Sequence, residues 1–132
     1  MEIINLGGTD KRLYELVAPL VMNPAVIRQN NNYPFKTLSK YIWYLAIDND
    51  GVVGFIPLKP ANKGYCIDNY YVKGDDKEII GTLLDNIITD LCGSFVLTAV
   101  VHKRHVKDFI ENGFITFLEL KNYHKMEYTG ER

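Results

Sequence analysis

The fold turns on one stretch: Tyr65-Cys66-Ile67-Asp68-Asn69-Tyr70-Tyr71-Val72, then Lys73-Gly74-Asp75-Asp76, then Lys77-Glu78-Ile79-Ile80-Gly81-Thr82-Leu83-Leu84. Its aromatic and β-branched opening predicts a strand over Tyr65–Val72. Ile79, Ile80, Leu83, Leu84, Ile87, Ile88 and Leu91 then recur on one helical face, and Gly93 stops the pattern. Beyond it, Phe95 to Val101 is almost continuously apolar, as a central strand covered on both faces requires.

Upstream, Glu2 to Leu6 reads as a short strand closed by Gly7-Gly8. Leu13, Leu16, Val17, Leu20 and Val21 mark one face of a helix, and Asn23-Pro24 starts another, with Asn as its cap and Pro in its first turn. Tyr41 to Ile47 and Val52 to Ile56 flank the turn Asp48-Asn49-Asp50-Gly51, a hairpin signal. Downstream, Val106, Phe109 and Ile110 mark a short helix ended by Gly113, and Phe114 to Tyr128 reads as two strands. The order β-α-α-β-β-β-α-β-α-β-β describes an α+β protein with a mixed sheet and helices on both faces.

A length of 132 residues predicts one domain, 1–132, large enough to bury roughly 65–70% of its unfolded surface. The 47% hydrophobic content excludes intrinsic disorder. Fifteen Lys and Arg against sixteen Asp and Glu argue against a nucleic-acid backbone as main partner, since that affinity comes from neutralising phosphates. Cys66 and Cys92 read as core thiols in a reducing compartment rather than a disulfide framework. No apolar run nears the ~18 residues of a membrane span, and Met1-Glu2-Ile3-Ile4-Asn5 is no signal peptide. The expectation is a soluble cytoplasmic protein with no membrane partner.

The element order, with three local signatures, resembles the GNAT superfamily of acyl-CoA N-acyltransferases. The signatures are the hairpin ending Gly51-Val52-Val53-Gly54-Phe55, the passage from Tyr71-Val72 into the helix carrying Gly81-Thr82-Leu83-Leu84, and the helix-to-strand turn Phe109-Ile110-Glu111-Asn112-Gly113-Phe114. The resemblance spans essentially the whole chain. It implies transfer of an acetyl group from acetyl-CoA to a primary amine, with no metal. The acceptor pocket would be built around Arg28 to Tyr33, which offers amides and one aromatic ring but no acidic cluster.

In that family the fourth strand splays from the fifth, and acyl-CoA lies in the gap. Its pantetheine would pair with the backbone at Tyr71 and Val72. Its pyrophosphate would rest near Lys73, Gly74, Lys77, Gly81 and Thr82, at the start of the following helix, where the dipole favours anions. The family pattern there is Gln/Arg-x-x-Gly-x-Gly/Ala. Here the matching residues run from Asp76 to Gly81, so Asp76 replaces the basic or amide residue and Ile79 replaces the first glycine. Asp75-x-x-Glu78 also reads as a capping box, which uses the N–H donors that a pyrophosphate would need.

The resemblance places a catalytic base on the fourth strand at Asp68, and a backbone N–H near Tyr71 or Val72 to polarise the thioester carbonyl. The family's acid is a tyrosine in the last helix. Its matching position is Phe109, which has no proton to give and is left with a ligand-contacting role. His102 or His105 could take the acid's place or bind the ligand: His102 is the catalytic candidate and His105 the binding one. His102-x-x-His105 has no third metal ligand nearby in sequence. The departures leave a second reading open, an inactive binding or regulatory protein on the same scaffold that has lost CoA binding.

Overall fold

The computed structural model describes residues 1–49, 51–91 and 93–130, so Cys92 and the turn residue Asp50 lie outside the described residues. Among the described residues eight strands form one sheet: β1 (Glu2–Gly7), β2 (Ile42–Asp48), β3 (Gly51–Ala61), β4 (Gly64–Ile67), β5 (Tyr71–Val72), β6 (Val96–His102), β7 (Phe114–Glu119) and β8 (Tyr123–Tyr128). Four α-helices among the described residues accompany them: α1 (Lys11–Val21), α2 (Pro24–Gln29), α3 (Lys77–Leu91) and α4 (Val106–Glu111). The sheet order is β1-β2-β3-β4-β6-β8-β7, with β5 paired to β3. β4 and β6 are parallel and every other pairing is antiparallel. A parallel pair needs a crossover, and α3 supplies it.

Both faces of the sheet are buried, which explains why the central strands are nearly continuous apolar runs. Along β2, Trp43 and Leu45 pack with Leu13 and Val17 of α1, while Tyr44 and Ala46 belong to the core built with α3. That second core holds Ile80, Leu83, Leu84 and Ile87 of α3 together with Phe109 of α4 and Phe114 of β7. The period-2 geometry of the strand therefore sends alternate residues to two cores. Gly54 lets α3 close on β3, because a Cβ there would lie 3.0 Å from Ile79 Cγ2 and 3.2 Å from the Tyr71 carbonyl oxygen.

Two sequence expectations need correction. The strand expected over Tyr65–Val72 is broken into β4 and β5 by Asp68, Asn69 and Tyr70. The α3 cap is Asp76, whose Oδ1 accepts from the Glu78 N–H at 2.8 Å, so the capping box expected from Asp75 is out of register by one. Asp75 has instead turned into the left-handed region, with φ of 51°, and its carboxylate points elsewhere.

Candidate functional site

The site begins as a register fault. Leu58 of β3 pairs with Ile67, and Phe55 pairs with Tyr71, so three steps along β3 are matched by four along β4 and β5. The extra residue makes a β-bulge, with Asn69 in the left-handed region at φ 47°. On the other edge, parallel pairing with β6 stops at Ile67 and Ala99. Beyond that point β5 stays on β3 while Val100, Val101 and His102 pair only with β8. The two neighbouring segments have parted, leaving backbone on both sides of a gap without a strand partner.

Side chains cross this gap. The Tyr70 hydroxyl lies 2.6 Å from His105 Nδ1 and also meets the backbone of His102 at the end of β6. His105 Nε2 lies 2.8 Å from Asp75 Oδ1. An ionised carboxylate only accepts, so Nε2 carries the hydrogen, and Tyr70 donates to the bare Nδ1 of the neutral ring. Burial holds the His105 pKa below the usual histidine range against the pull of Asp75, and it pushes the Tyr70 phenol up. For Asp75, burial opposes ionisation, but hydrogen bonds from His105 and Gln29 and the charge of Arg104 outweigh it and hold the carboxyl low.

The segment after α2 straps the same gap. Gln29 Nε2 donates to the Val72 carbonyl at 3.1 Å and to Asp75 Oδ1 at 3.0 Å. Arg104 Nη2 donates to the Gln29 carbonyl at 2.9 Å. Asn30 Nδ2 donates to Asn69 Oδ1 at 3.1 Å, and Asn31 hydrogen-bonds the Tyr123 hydroxyl on β8. Residues 29–31 thus hold on to both banks of the gap. Beside them opens a cavity of about 440 Å³, lined among others by Asp68, Asn69, Tyr70, Val100 and His102.

Asp68 is half-buried in this cavity, and no hydrogen bond ties its carboxylate among the described residues. Burial raises its pKa above the ordinary carboxylate value, with Lys59 drawing it partly back. A carboxylate so placed takes a proton more readily than one in open water. His102, half-buried on the opposite bank, accepts the Arg104 N–H at Nδ1 over 3.1 Å. Burial and then the Arg104 charge lower its pKa, so its Nε2 carries the hydrogen near neutral pH.

The residues expected to cradle a pyrophosphate lie together where β5 runs into α3. Lys73, Gly74 and Lys77 are exposed, and Val72 is buried with its carbonyl turned to the gap. Gly74 sits at φ 64° with open space where a Cβ would be, and nothing lies nearer than 3.8 Å to a Cβ on Gly81. The backbone there is bare enough for close approach by a ligand. The Thr82 hydroxyl donates to the Glu78 carbonyl at 2.8 Å. Phe109 is fully buried between Tyr70 and Phe114, and His105 is buried with both ring nitrogens engaged, so in this conformation neither faces solvent. His102 and His105 do not share a helix face: one ends β6 and the other closes the turn Lys103–His105.

Sequence reasoning placed Gln29 only within the acceptor segment Arg28 to Tyr33, read Asp75 only as a cap, and did not foresee that Gln29, Tyr70 and Arg104 bridge the gap. Each reaches its partner across 29 to 75 residues of chain, so no local pattern signals it. Tyr70 carried one faint sign, its place in an aromatic cluster beside a carboxylate.

No family model matches the chain, and no curated protein matches it. Solved structures do. Escherichia coli ElaA aligns with a TM-score of 0.76 at 14% identity, covering 98% of this chain and 100% of that one. An aminoglycoside 6′-acetyltransferase type Ii aligns at 0.71 and 15% identity, covering 100% and 99%. Campylobacter jejuni N-acetyltransferase PseH, solved in complex with acetyl coenzyme A, aligns at 0.63 and 17% identity, covering 97% and 99%. The chain has the fold of the GNAT acyl-CoA N-acyltransferases.

Proposed function

We propose that this protein is an N-acyltransferase that moves an acetyl group from acetyl-CoA to a primary amine. The observation that carries the reading is the parting of β5 from β6 beyond Ile67 and Ala99, next to a cavity holding an untied carboxylate. A parted pair of strands leaves amide groups for an extended, amide-bearing arm to satisfy. Asp68 faces the side from which an amine would come.

In this reading Asp68 takes the proton from the ammonium, directly or through a water, and the free amine attacks the thioester carbonyl carbon. The C–N bond forms, the C–S bond breaks, and the sulfur leaves as thiolate. In an extended strand the N–H and C=O of one residue point to the same edge, so the Val72 N–H faces the gap with its carbonyl. That N–H is placed to stabilise charge developing on the carbonyl oxygen. Tyr70 stands in for the tyrosine that the family carries at the Phe109 position; the Tyr70 and Phe109 rings are 5.7 Å apart. Burial keeps the phenol protonated, so Tyr70, on turning its O–H from His105 Nδ1, steadies the thiolate by a hydrogen bond, and the thiol takes its proton from the medium. To admit the donor, Gln29 must release the Val72 carbonyl to a pantetheine amide.

Two observations favour the second reading, a scaffold that no longer transfers: Gln29 occupies the Val72 carbonyl, and the carboxylates of Asp76 and Glu78 stand at the start of α3, where two phosphates would lie. Acetyl-CoA titrated into the full chain by calorimetry decides between the two readings. Heat of binding, followed by thiol release with an amine panel, supports the transferase. Absence of binding at millimolar acetyl-CoA leaves the scaffold reading. If transfer occurs, Asp68→Asn lowers kcat/KM by roughly 10²–10⁴ with unfolding temperature unchanged.

A further inference from the structure

The cavity beside the gap has a charge balance unlike that of the whole chain. Fifteen Lys and Arg nearly cancel sixteen Asp and Glu overall. Around the cavity, Lys36, Lys59 and Arg104 face the single carboxylate of Asp68. Arg104 is already engaged by Asp75 and the Gln29 carbonyl. Neither Lys36 nor Lys59 is ion-paired among the described residues. Lys59 stands opposite Cys66 in the β3–β4 register and acts through space on Asp68. His102 adds a ring whose Nδ1 is taken by the Arg104 N–H, leaving Nε2–H as a donor.

An amine arrives as a cation. A pocket with this excess of positive charge repels a simple alkylamine or a polyamine, because like charges at short range raise the energy of the bound state. The repulsion becomes attraction when the molecule brings an anion of its own, with its ammonium toward Asp68 and the anion toward the lysines. Resting on the acyltransfer reading, we infer that the acceptor is an amine that carries a carboxylate or a phosphate. Lys59 and Lys36 hold the anionic group, and the amide-rich strap at residues 29–31 meets the polar body between the two charges.

The test measures acceptor binding without acetyl-CoA, so that it stands whether or not transfer occurs. Calorimetry on the full chain compares two matched pairs: glucosamine 6-phosphate against glucosamine, and alanine against alaninamide. The member carrying the anionic group in at least one pair binds roughly tenfold or more tightly than its partner without one, and the pair that shows it tells phosphate from carboxylate. In a Lys36→Gln, Lys59→Gln double variant the preference shrinks to within about threefold, while acetyl-CoA affinity is unchanged. Lys36→Gln alone, at an exposed position, moves the preference the same way by less and serves if the double variant unfolds. Equal binding within both pairs, a preference for the members without an anionic group, no binding by any of the four, or a preference that survives the double variant overturns the inference. Transfer of acetyl only to amines that lack an anionic group also overturns it, and leaves the transferase reading intact.

Discussion

β4 and β5 lie end to end along β3, yet they meet β6 in opposite ways. At β4, four residues from Gly64 to Ile67 are zipped to Val96–Ala99 by backbone pairing. At β5 there is no strand pairing to β6, and Tyr70, Asp75 and Gln29 cross the gap instead. Backbone ladders are fixed by sequence register and cannot be exchanged without unfolding. Side-chain bridges can swing away on rotation of a few torsions, and another molecule's amides can take their place. The half that is zipped holds the fold, and the half that is bridged is where a ligand can enter.

The largest effect that sharpens this contrast is expected in the zipped half. A Cβ on Gly64 would fall 1.8 Å from the Val96 carbonyl oxygen and 2.6 Å from its nitrogen, both backbone atoms that cannot move aside. Gly64→Ala therefore costs at least about 3 kcal/mol, measured by denaturant unfolding. A stable Gly64→Ala protein would show that the β4–β6 pairing is looser than described. In the bridged half the same measurement should show a smaller loss for Tyr70→Phe, about 1–3 kcal/mol, because the buried His105 Nδ1 is left without a donor. On the transferase reading its further effect belongs to turnover: losing a hydrogen bond to a thiolate lowers kcat about ten- to a hundredfold, with KM little altered. Unchanged kcat would remove Tyr70 from the chemistry and leave it as a bridge only.

The smallest effect is a pH dependence of stability. His105 is held neutral by burial, so the unfolded chain binds its proton before the folded one does. Its contribution is complete above about pH 6.5, the ordinary histidine value, and is lost as pH falls below it. Asp75, held low, acts in the same direction further down, below the ordinary carboxylate value. Unfolding temperatures measured between pH 7.5 and 5 should fall with acidification, and His105→Gln should flatten the slope. A slope undiminished in that variant would assign it to other groups. The exposure of Asp75 keeps its share small.

Hydrophobic period made most of the elements legible before any coordinates. The α3 stripe from Ile79 to Leu91, the hairpin around Gly51 and the apolar β6 follow from residue spacing, because burial repeats with the geometry of each element. Asp68 was a candidate in the sequence only through the family resemblance. Gln29 was legible only as part of the acceptor segment, and the bridging contacts of Gln29, Tyr70 and Arg104 were not legible at all, because a polar side chain on a loop or a helix end has no periodic partner to reveal its direction. The cap at Asp76 was misread by one residue for a related reason: Asp75 and Asp76 are equally good caps as letters, and the choice fell to His105, 30 residues away, which draws Asp75 inward.

The order of strands and helices, the double covering of the sheet and the glycines that permit close packing were written in the sequence, since each obeys a short-range rule of spacing or sterics. Only the tertiary structure decided that one strand would break into two at Asp68–Tyr70, that one half would stay zipped to β6, and that side chains from four separate segments would span the other. Those outcomes depend on which distant groups satisfy a freed N–H or C=O, a balance struck in three dimensions and absent from any local stretch of residues.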